Sequence, residues 1–230
     1  MDRRINPVTP EQPTFATHGL RLSLAACALF GLTLTGCATT PPQGAGSPPA
    51  DIQNALDRGE CRAAYDALDA TDAEASVDVR LSVARVCLQR GEFTRTRNLA
   101  DAILEDHPHH PDIDYAAYLG SLAQLGTWNR ASSVPPKQRS EQGRQVFLRL
   151  AAFLNDYPMS EYTESVAPRL ARLRENLAEI ELQIADQSAA DGNQEEAHAR
   201  TEYVRDYYPG TAAAKTAADR LQRQEEDAGD

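Results

Sequence analysis

The sequence predicts an all-α fold in which antiparallel helix pairs stack into a superhelical array. Proline turns recur at Pro108, Pro158 and Pro209, at spacings of 50 and 51 residues, and each turn closes an amphipathic segment. Gly91 and Gly192 each lie 17 residues before one of these prolines, between two helix-like segments. The sequence has no alternating run of Val, Ile and Thr that would predict a strand. These observations together indicate a repeat made of two helices.

The order of helix, glycine turn, helix and proline turn is typical of tetratricopeptide repeats. The helical pattern is clearest in residues 166–184, where one apolar stripe recurs at steps of four and three: Val166, Leu170, Leu173, Leu177, Ile180 and Ile184. Pro168 is tolerated if this helix begins at about residue 165, because first-turn N–H groups lack intrahelical partners. The last segment, from residue 211, has a small apolar side and a charged remainder, and we expect it to cap the array.

The first 36 residues are predicted to be a bacterial lipoprotein signal peptide. An apolar run follows Arg21 and ends in Leu34-Thr35-Gly36-Cys37, which has the Leu-x-Gly-Cys form of a lipobox. The run is too short to be a transmembrane helix. The stretch that ends in Cys27 also has lipobox spelling, but cleavage there would leave a very short apolar run after Arg21. We therefore expect Cys37 to carry the lipid.

The remaining chain divides into three parts. Residues 37–50 contain the lipidated cysteine and a flexible tether rich in Pro, Gly and Ser, residues 51–225 form the predicted helical domain, and residues 226–230 form an acidic tail. Acyl chains on Cys37 give stable anchoring at about 0.8 kcal/mol per buried CH₂ group. Because residue 38 is Ala and not the Asp that commonly retains lipoproteins in the inner membrane, we expect the outer membrane, with the protein on its periplasmic side.

Charge and motif content exclude several functions. The formal net charge of -11 argues against nucleic-acid binding, which needs clustered Lys and Arg. The sequence has no Gly-rich phosphate loop, no Gly-x-Ser-x-Gly elbow and no His-Glu-x-x-His helix. We therefore expect neither catalytic residues nor a cofactor.

The run "LEDHPHHPDIDY", residues 104–115, contains three histidines and resembles a metal site at first sight. Pro108 and Pro111 disfavour a helix at the residues before them, and the adjacent side chains of His109 and His110 diverge in extended chain. In a tetrahedral site the chain must curve around the metal to place its ligands, and two prolines limit that curvature. We therefore predict a turn between two helices, with Asp112 capping the second helix and no metal.

Two cysteines remain in the helical domain. Cys61 follows the turn at Gly59, near the start of a second helix, and Cys87 falls near the end of the next antiparallel helix. Because these helix ends are neighbours in a stacked array, a disulfide is predicted in an oxidising periplasm, worth about 3–4 kcal/mol of stability. Two buried free thiols are the alternative.

Residues 127–143, "TWNRASSVPPKQRSEQG", are predicted to be a long loop. Gly126, taken as a turn glycine, lies 32 residues before Pro158, where the other repeats have 17. A loop of this length in a compact array is usually functional or disordered. Trp128, the only tryptophan, is either a binding residue of this loop or a side chain that plugs the core.

Four segments carry a resemblance to a known family. In order they are "HPDIDYAAYLGSL" (110–122), "FLNDYPMSEY" (153–162), "RLARLRENLAEIELQIA" (169–185) and "YYPGTAA" (207–213). This ordered set, with the lipobox, resembles the BamD family of outer-membrane protein assembly lipoproteins, also described as ComL. The similarity spans roughly 105–220. Residues 51–104 depart from the family pattern, because "TDAEASVD" replaces the expected Tyr-Pro turn.

The resemblance implies a non-enzymatic scaffold and receptor in the complex that inserts β-barrel proteins into the outer membrane. Its implied partners are the barrel subunit BamA, companion lipoproteins and unfolded barrel substrates. Candidate docking residues are Tyr115, Tyr118, Trp128 and Arg139. The divergence of residues 51–104 leaves an alternative, a paralogous periplasmic lipoprotein that recruits another envelope protein.

Overall fold

The computed structural model describes residues 49–70 and 75–228, and over these ranges the only regular elements are nine helices. The predicted signal peptide, Cys37 and most of the tether lie outside the described residues. The helices are α1 (Ala50–Asp57), α2 (Cys61–Ala70), α3 (Val77–Gln89), α4 (Phe93–Asp106), α5 (Ile113–Arg130), α6 (Pro136–Asp156), α7 (Thr163–Ala190), α8 (Gln194–Tyr207) and α9 (Ala212–Ala228). No described helix is long and apolar enough to cross a bilayer.

Each helix packs against the next one along the chain, so that α1 to α8 form four consecutive pairs and α9 covers the last pair. The first helices of neighbouring pairs also contact each other, α1 with α3 and α3 with α5, and α7 contacts the covering helix α9. This is the arrangement of stacked tetratricopeptide-like helix pairs. The prediction of an all-α array of this kind is confirmed.

An arginine ties each of the first two glycine turns to the following pair. Gly59 and Gly91 have φ angles of 65° and 72°, a left-handed conformation that favours glycine at a helix end. Arg90 Nε donates to the carbonyl oxygen of Gly59 at 2.7 Å, and Arg130 Nη1 donates to that of Gly91 at 2.6 Å. Since each arginine ends the first helix of the next pair, these bonds fasten successive repeats together.

The predicted loop over residues 127–143 is wrong. Helix α5 continues to Arg130 and α6 begins at Pro136, so only residues 131–135 connect them. Gly126 is a helical residue, not a turn, and a Cβ atom there would collide with the ring of Phe93. The glycine therefore serves close packing between α4 and α5, and Pro136 occupies the helix start, where proline is favoured.

Three smaller expectations also need correction. Asp112 stands at the N-cap position of α5, but its side chain makes no capping hydrogen bond. Pro168 lies beyond the first turn of α7, because this helix begins at Thr163 and continues through the proline. Helix α9 extends to Ala228, so residues 226–228 of the predicted acidic tail are helical.

The core consists of two clusters of buried apolar side chains. One is built by α1 to α5 and includes Ile52, Val83, Ile103 and Leu119. The other is built by α5 to α9 and includes Trp128, Leu150 and the stripe of α7. Four members of that stripe are fully buried, namely Val166, Leu173, Leu177 and Ile184. The periodic pattern therefore identified the face of α7 that the neighbouring helices cover.

Candidate partner-binding site

Tyr115 and Tyr118 form an aromatic cluster with Tyr162. The ring centroids of Tyr115 and Tyr162 are 5.1 Å apart, and those of Tyr118 and Tyr162 are 4.5 Å apart, both stacked. The Tyr118 hydroxyl lies 3.1 Å from Ser165 Oγ. Burial, with a smaller contribution from a hydrogen bond to Glu161, raises the pKa of Tyr162 to about 12. The half-buried tyrosines thus join the starts of α5 and α7.

Trp128 and Arg139 close the hairpin between α5 and α6. Trp128 is 3% exposed, and its Nε1 donates to the carbonyl oxygen of Arg139 at 2.9 Å. The Arg139 guanidinium lies 4.3 Å from the indole centroid and donates to the carbonyl oxygens of Trp128 and Ala131. Trp128 therefore fills the core, which is the second of the two roles considered for it. Both side chains are held in this contact, and the loop expected to carry them is a hairpin of two helices.

Cys61 and Cys87 are joined by a disulfide, with Cα atoms 4.7 Å apart. Cys61 is the first residue of α2, and Cys87 lies near the end of α3. Both are buried. The bond links the first helix pair to the second.

The histidine run forms the turn between α4 and α5, and His110 approaches two acids there. Ligand atoms of Asp78, His110 and Asp112 lie within 4.8 Å of one another. His110 Nδ1, however, accepts from the backbone N–H of Asp112 at 3.2 Å. A neutral ring then carries its proton on Nε2, which faces Asp78 Oδ1 at 3.9 Å. The lone pair of His110 Nδ1 is thus used within the turn.

A buried carboxylate, which the sequence patterns did not identify, is the centre of a charged cluster. Glu181 on α7 is 1% exposed. Its Oε1 accepts from Arg144 Nη1 at 2.9 Å and from the Ser140 hydroxyl, while its Oε2 accepts from Arg200 Nη1 at 2.8 Å. A buried carboxylate is strongly destabilising unless it is paired and hydrogen-bonded. Two guanidinium groups, from α6 and α8, provide that compensation.

The cluster continues to the surface through Glu196 on α8. Glu196 Oε1 accepts from Lys137 Nζ at 2.9 Å and from Arg200 Nε at 3.0 Å. The hydrogen bond from Lys137, followed by that from Arg200, lowers the pKa of Glu196 to about 2. These six residues, Lys137, Ser140, Arg144, Glu181, Glu196 and Arg200, are called the Glu181 cluster below. They tie α6, α7 and α8 together.

The cluster opens into a surface hollow of about 430 Å³, lined by Arg144, Glu181, Glu196, Ala199, Arg200 and Tyr203. The side chains of Arg144 and Arg200 are 45% and 28% exposed. The Glu181 cluster as a whole contains three cations and two carboxylates, a net charge of +1 in a chain of net charge -11. Tyr203 stacks on Tyr207, which is 70% exposed. Such a surface suits recognition of an acidic group on a protein partner, since arginine and tyrosine are enriched in binding hot spots.

One sequence signal could have indicated the buried carboxylate of this cluster. Glu181 lies four residues after Leu177 and three before Ile184, on the face of α7 that carries the apolar stripe. A carboxylate on a buried helical face needs a cationic partner. The pattern alone did not indicate which arginines supply it, because Arg144 and Arg200 lie on other helices.

The fold defines a helical repeat protein, and its described residues include a surface hollow lined by arginine, glutamate and tyrosine side chains. Residues 50–229 match the family described as YfiO, outer membrane lipoprotein. The chain therefore belongs to this family of outer membrane lipoproteins, and the resemblance seen in the sequence is confirmed.

Curated relatives carry the name outer membrane protein assembly factor BamD. The chain is 29% identical over 97 residues to that of Buchnera aphidicola subsp. Acyrthosiphon pisum, which covers 40% of this chain and 39% of the relative's length. It is 24% identical over 196 residues to the BamD of Vibrio cholerae serotype O1. That alignment covers 79% of this chain and 81% of the relative's length. A solved thermophilic TPR protein of Thermus thermophilus aligns at 14% identity and a TM-score of 0.37, over 74% of this chain and 99% of its own.

Proposed function

We propose that this protein is a non-enzymatic scaffold and receptor subunit of the machinery that assembles and inserts β-barrel proteins in the outer membrane. The observation that carries this proposal is the family match over residues 50–229, together with relatives named as outer membrane protein assembly factors. An array of helix pairs binds partners through its surfaces and requires no chemistry for this.

The membrane attachment is part of the same proposal. Residues 1–36 are removed as a signal peptide, Cys37 is lipidated, and residues 37–50 tether the helical domain to the periplasmic side of the outer membrane. The lipobox at Leu34–Cys37 and the description of the family as outer membrane lipoproteins support this anchoring.

The proposed partners are a BamA-type barrel subunit, companion lipoproteins and unfolded outer-membrane proteins. The Glu181 cluster is the proposed contact for the folded partner, through the exposed parts of Arg144 and Arg200 and the ring of Tyr207. An acidic side chain of the partner would enter the hollow and pair with a guanidinium group already held in place by Glu181. A fixed donor loses less conformational entropy on binding than a free arginine does.

The alternative function, recruitment of another envelope protein by a paralogous lipoprotein, rests on the divergence of residues 51–104. The family match extends through these residues, which supports the assembly function over this alternative.

The test compares membrane-anchored variants by affinity purification from mildly solubilised outer membrane. Arg144→Gln and Tyr207→Ala are expected to lower the recovered barrel subunit by about fivefold or more, which corresponds to about 1 kcal/mol. Arg172→Gln is the matched control, because Arg172 is exposed on α7 and forms no ion pair with the described residues.

Thermal unfolding must show that each variant is folded. Equal recovery of the barrel subunit with all three variants would remove the Glu181 cluster from the proposal. Absence of the barrel subunit from the unaltered protein would contradict the function itself.

A further inference from the structure

A groove runs between α4 and α6, and α5 forms its floor. It contains two hollows of about 350 and 300 Å³. Apolar parts of Trp128, Val134 and Val146 line the first hollow. Leu104, Ala117 and Phe153 line the second in the same way. Volumes of this size lie at the lower end of the range of ligand pockets, about 300–1,000 Å³.

An ion pair between Arg149 and Asp101 separates the two hollows. Arg149 Nη2 on α6 lies 2.5 Å from Asp101 Oδ1 on α4. The guanidinium crosses α5 at Gly120, where an added Cβ atom would collide with it. Because residue 120 has no side chain, the ion pair of Arg149 and Asp101 can pack directly against the backbone of α5. An apolar hollow lies on either side of it.

The distance between the hollows matches the repeat of a helix. On α5, Ala117 and Ser121 line the second hollow, and Gln124 and Trp128 line the first. Corresponding residues of the two hollows, Ala117 with Gln124 and Ser121 with Trp128, are seven positions apart. This is about 10 Å along the axis of α5 at 1.5 Å per residue. Side chains seven positions apart on a helix have this separation and share a face. Side chains on one face of an extended strand are instead about 7 or 13 Å apart.

The rim of the groove carries an exposed apolar side chain and free amides. Leu148 is 60% exposed and lies on α6 between Gln145 and Ala152, which line the first and second hollows respectively. Over the described residues, the side-chain amides of Gln124, Gln142 and Gln145 form no hydrogen bond. An exposed leucine beside an apolar groove is a feature of an interaction surface.

The charged side chains of the two hollows favour one orientation of a bound helix, and Arg97 Nε also lies 4.0 Å from Asp101 Oδ2 of the bridge. Arg97 lines the first hollow, and Asp156 lines the second. The amino-terminal end of a helix carries partial positive charge, and its carboxy-terminal end carries partial negative charge. A helix that begins near Asp156 and ends near Arg97 is therefore complementary to this groove.

We propose that the groove of α4, α5 and α6 binds an amphipathic helix of a partner protein that presents two large apolar side chains seven positions apart. The two side chains enter the two hollows, and the residues between them pass over the bridge of Arg149 and Asp101. The bound helix runs parallel to α5. This surface is separate from the Glu181 cluster and does not depend on the proposed function.

The test uses the single tryptophan of the chain, because Trp128 lines the first hollow and reports binding there. The probe is a helical peptide of about 18 residues in a background of Ala, Glu and Lys, with Leu at positions i and i+7. A matched peptide has the two Leu residues at i and i+5, which lie on different faces of a helix. Titration of the full chain in detergent is expected to give saturable fluorescence with the first peptide and at least about tenfold weaker binding with the second.

Two protein variants locate the binding. Leu148→Glu is expected to weaken binding of the first peptide by about tenfold, because it places a charge on the apolar rim. Ala171→Glu places the same charge on an exposed apolar residue of α7, outside the groove, and should leave binding unchanged. Equal binding of both peptides, no saturable signal, or an unaffected Leu148→Glu variant would each overturn the proposal.

Discussion

Trp128 and Arg139 form reciprocal hydrogen bonds across the hairpin of α5 and α6. The indole Nε1 of Trp128 donates a 2.9 Å hydrogen bond to the carbonyl oxygen of Arg139, and Arg139 Nη1 donates a 3.2 Å bond to the carbonyl oxygen of Trp128. Because the guanidinium also covers the indole ring, this pair fixes where the two helices meet.

Replacing Trp128 with Phe should lower the free energy of unfolding by about 2 kcal/mol. The substitution keeps an aromatic ring but removes the Nε1 donor and weakens the contact with the cation. Urea denaturation measures the loss, with Arg172→Gln as the control for an exposed residue. A Trp128→Phe variant within about 0.5 kcal/mol of the unaltered protein would show that the pair does not hold the hairpin.

The same hairpin shows why part of the fold could not be predicted. Gly126, the two serines at 132 and 133, and the prolines at 135 and 136 are all local signals for a loop. The contacts that make most of residues 127–143 helical come from other parts of the chain, such as Phe93 against Gly126. In contrast, α7 was predictable because its apolar stripe repeats over many turns within one segment.

The candidate site was predicted only in part for a similar reason. Tyr115 and Tyr118 were identified, but their stacking partner Tyr162 lies at the start of α7. The charged cluster was missed because Glu181 is paired with arginines 37 and 19 residues away. Local patterns indicate which side chains are buried. They do not indicate which distant residues pair with a buried charge.

Glu181→Gln should lower the free energy of unfolding by about 3 kcal/mol. Glutamine has nearly the same shape, but it leaves Arg144 and Arg200 without the charge that pairs with them. Glu179→Gln is the matched control, because Glu179 is exposed on the same helix. Chemical denaturation of both variants at neutral pH distinguishes the effect of the cluster from a general effect of charge. Equal stability of the two variants would contradict the assigned role of Glu181.

The pairing of Glu196 should make stability depend on pH in the acidic range. Its pKa is lowered from 4.5 to about 2, so its contribution is fully present above pH 4.5 and is lost as the pH falls towards 2. The difference in melting temperature between the unaltered protein and Glu196→Gln should therefore shrink over this range. It should also shrink at high salt, because Glu196 is partly exposed. A difference that is constant from pH 6 to pH 2 would argue against the pairing.

Removing the disulfide should destabilise the first two helix pairs. The bond joins residues 26 positions apart, for which loop closure predicts a loss of about 3–4 kcal/mol in a Cys61→Ala and Cys87→Ala double variant. Adding dithiothreitol to the unaltered protein should cause a similar loss in urea denaturation. If the reductant leaves the unaltered protein unchanged, the two cysteines are free thiols in the folded protein.

The most direct test of the central claim is the composition of the complex formed by the full-length, lipid-anchored protein. The protein is purified from mildly solubilised outer membrane, washed with salt, and its retained partners are identified and quantified. The proposed function predicts a BamA-type barrel subunit and companion lipoproteins in amounts comparable to the protein itself. Their absence, with a different envelope protein retained in comparable amount, would contradict it.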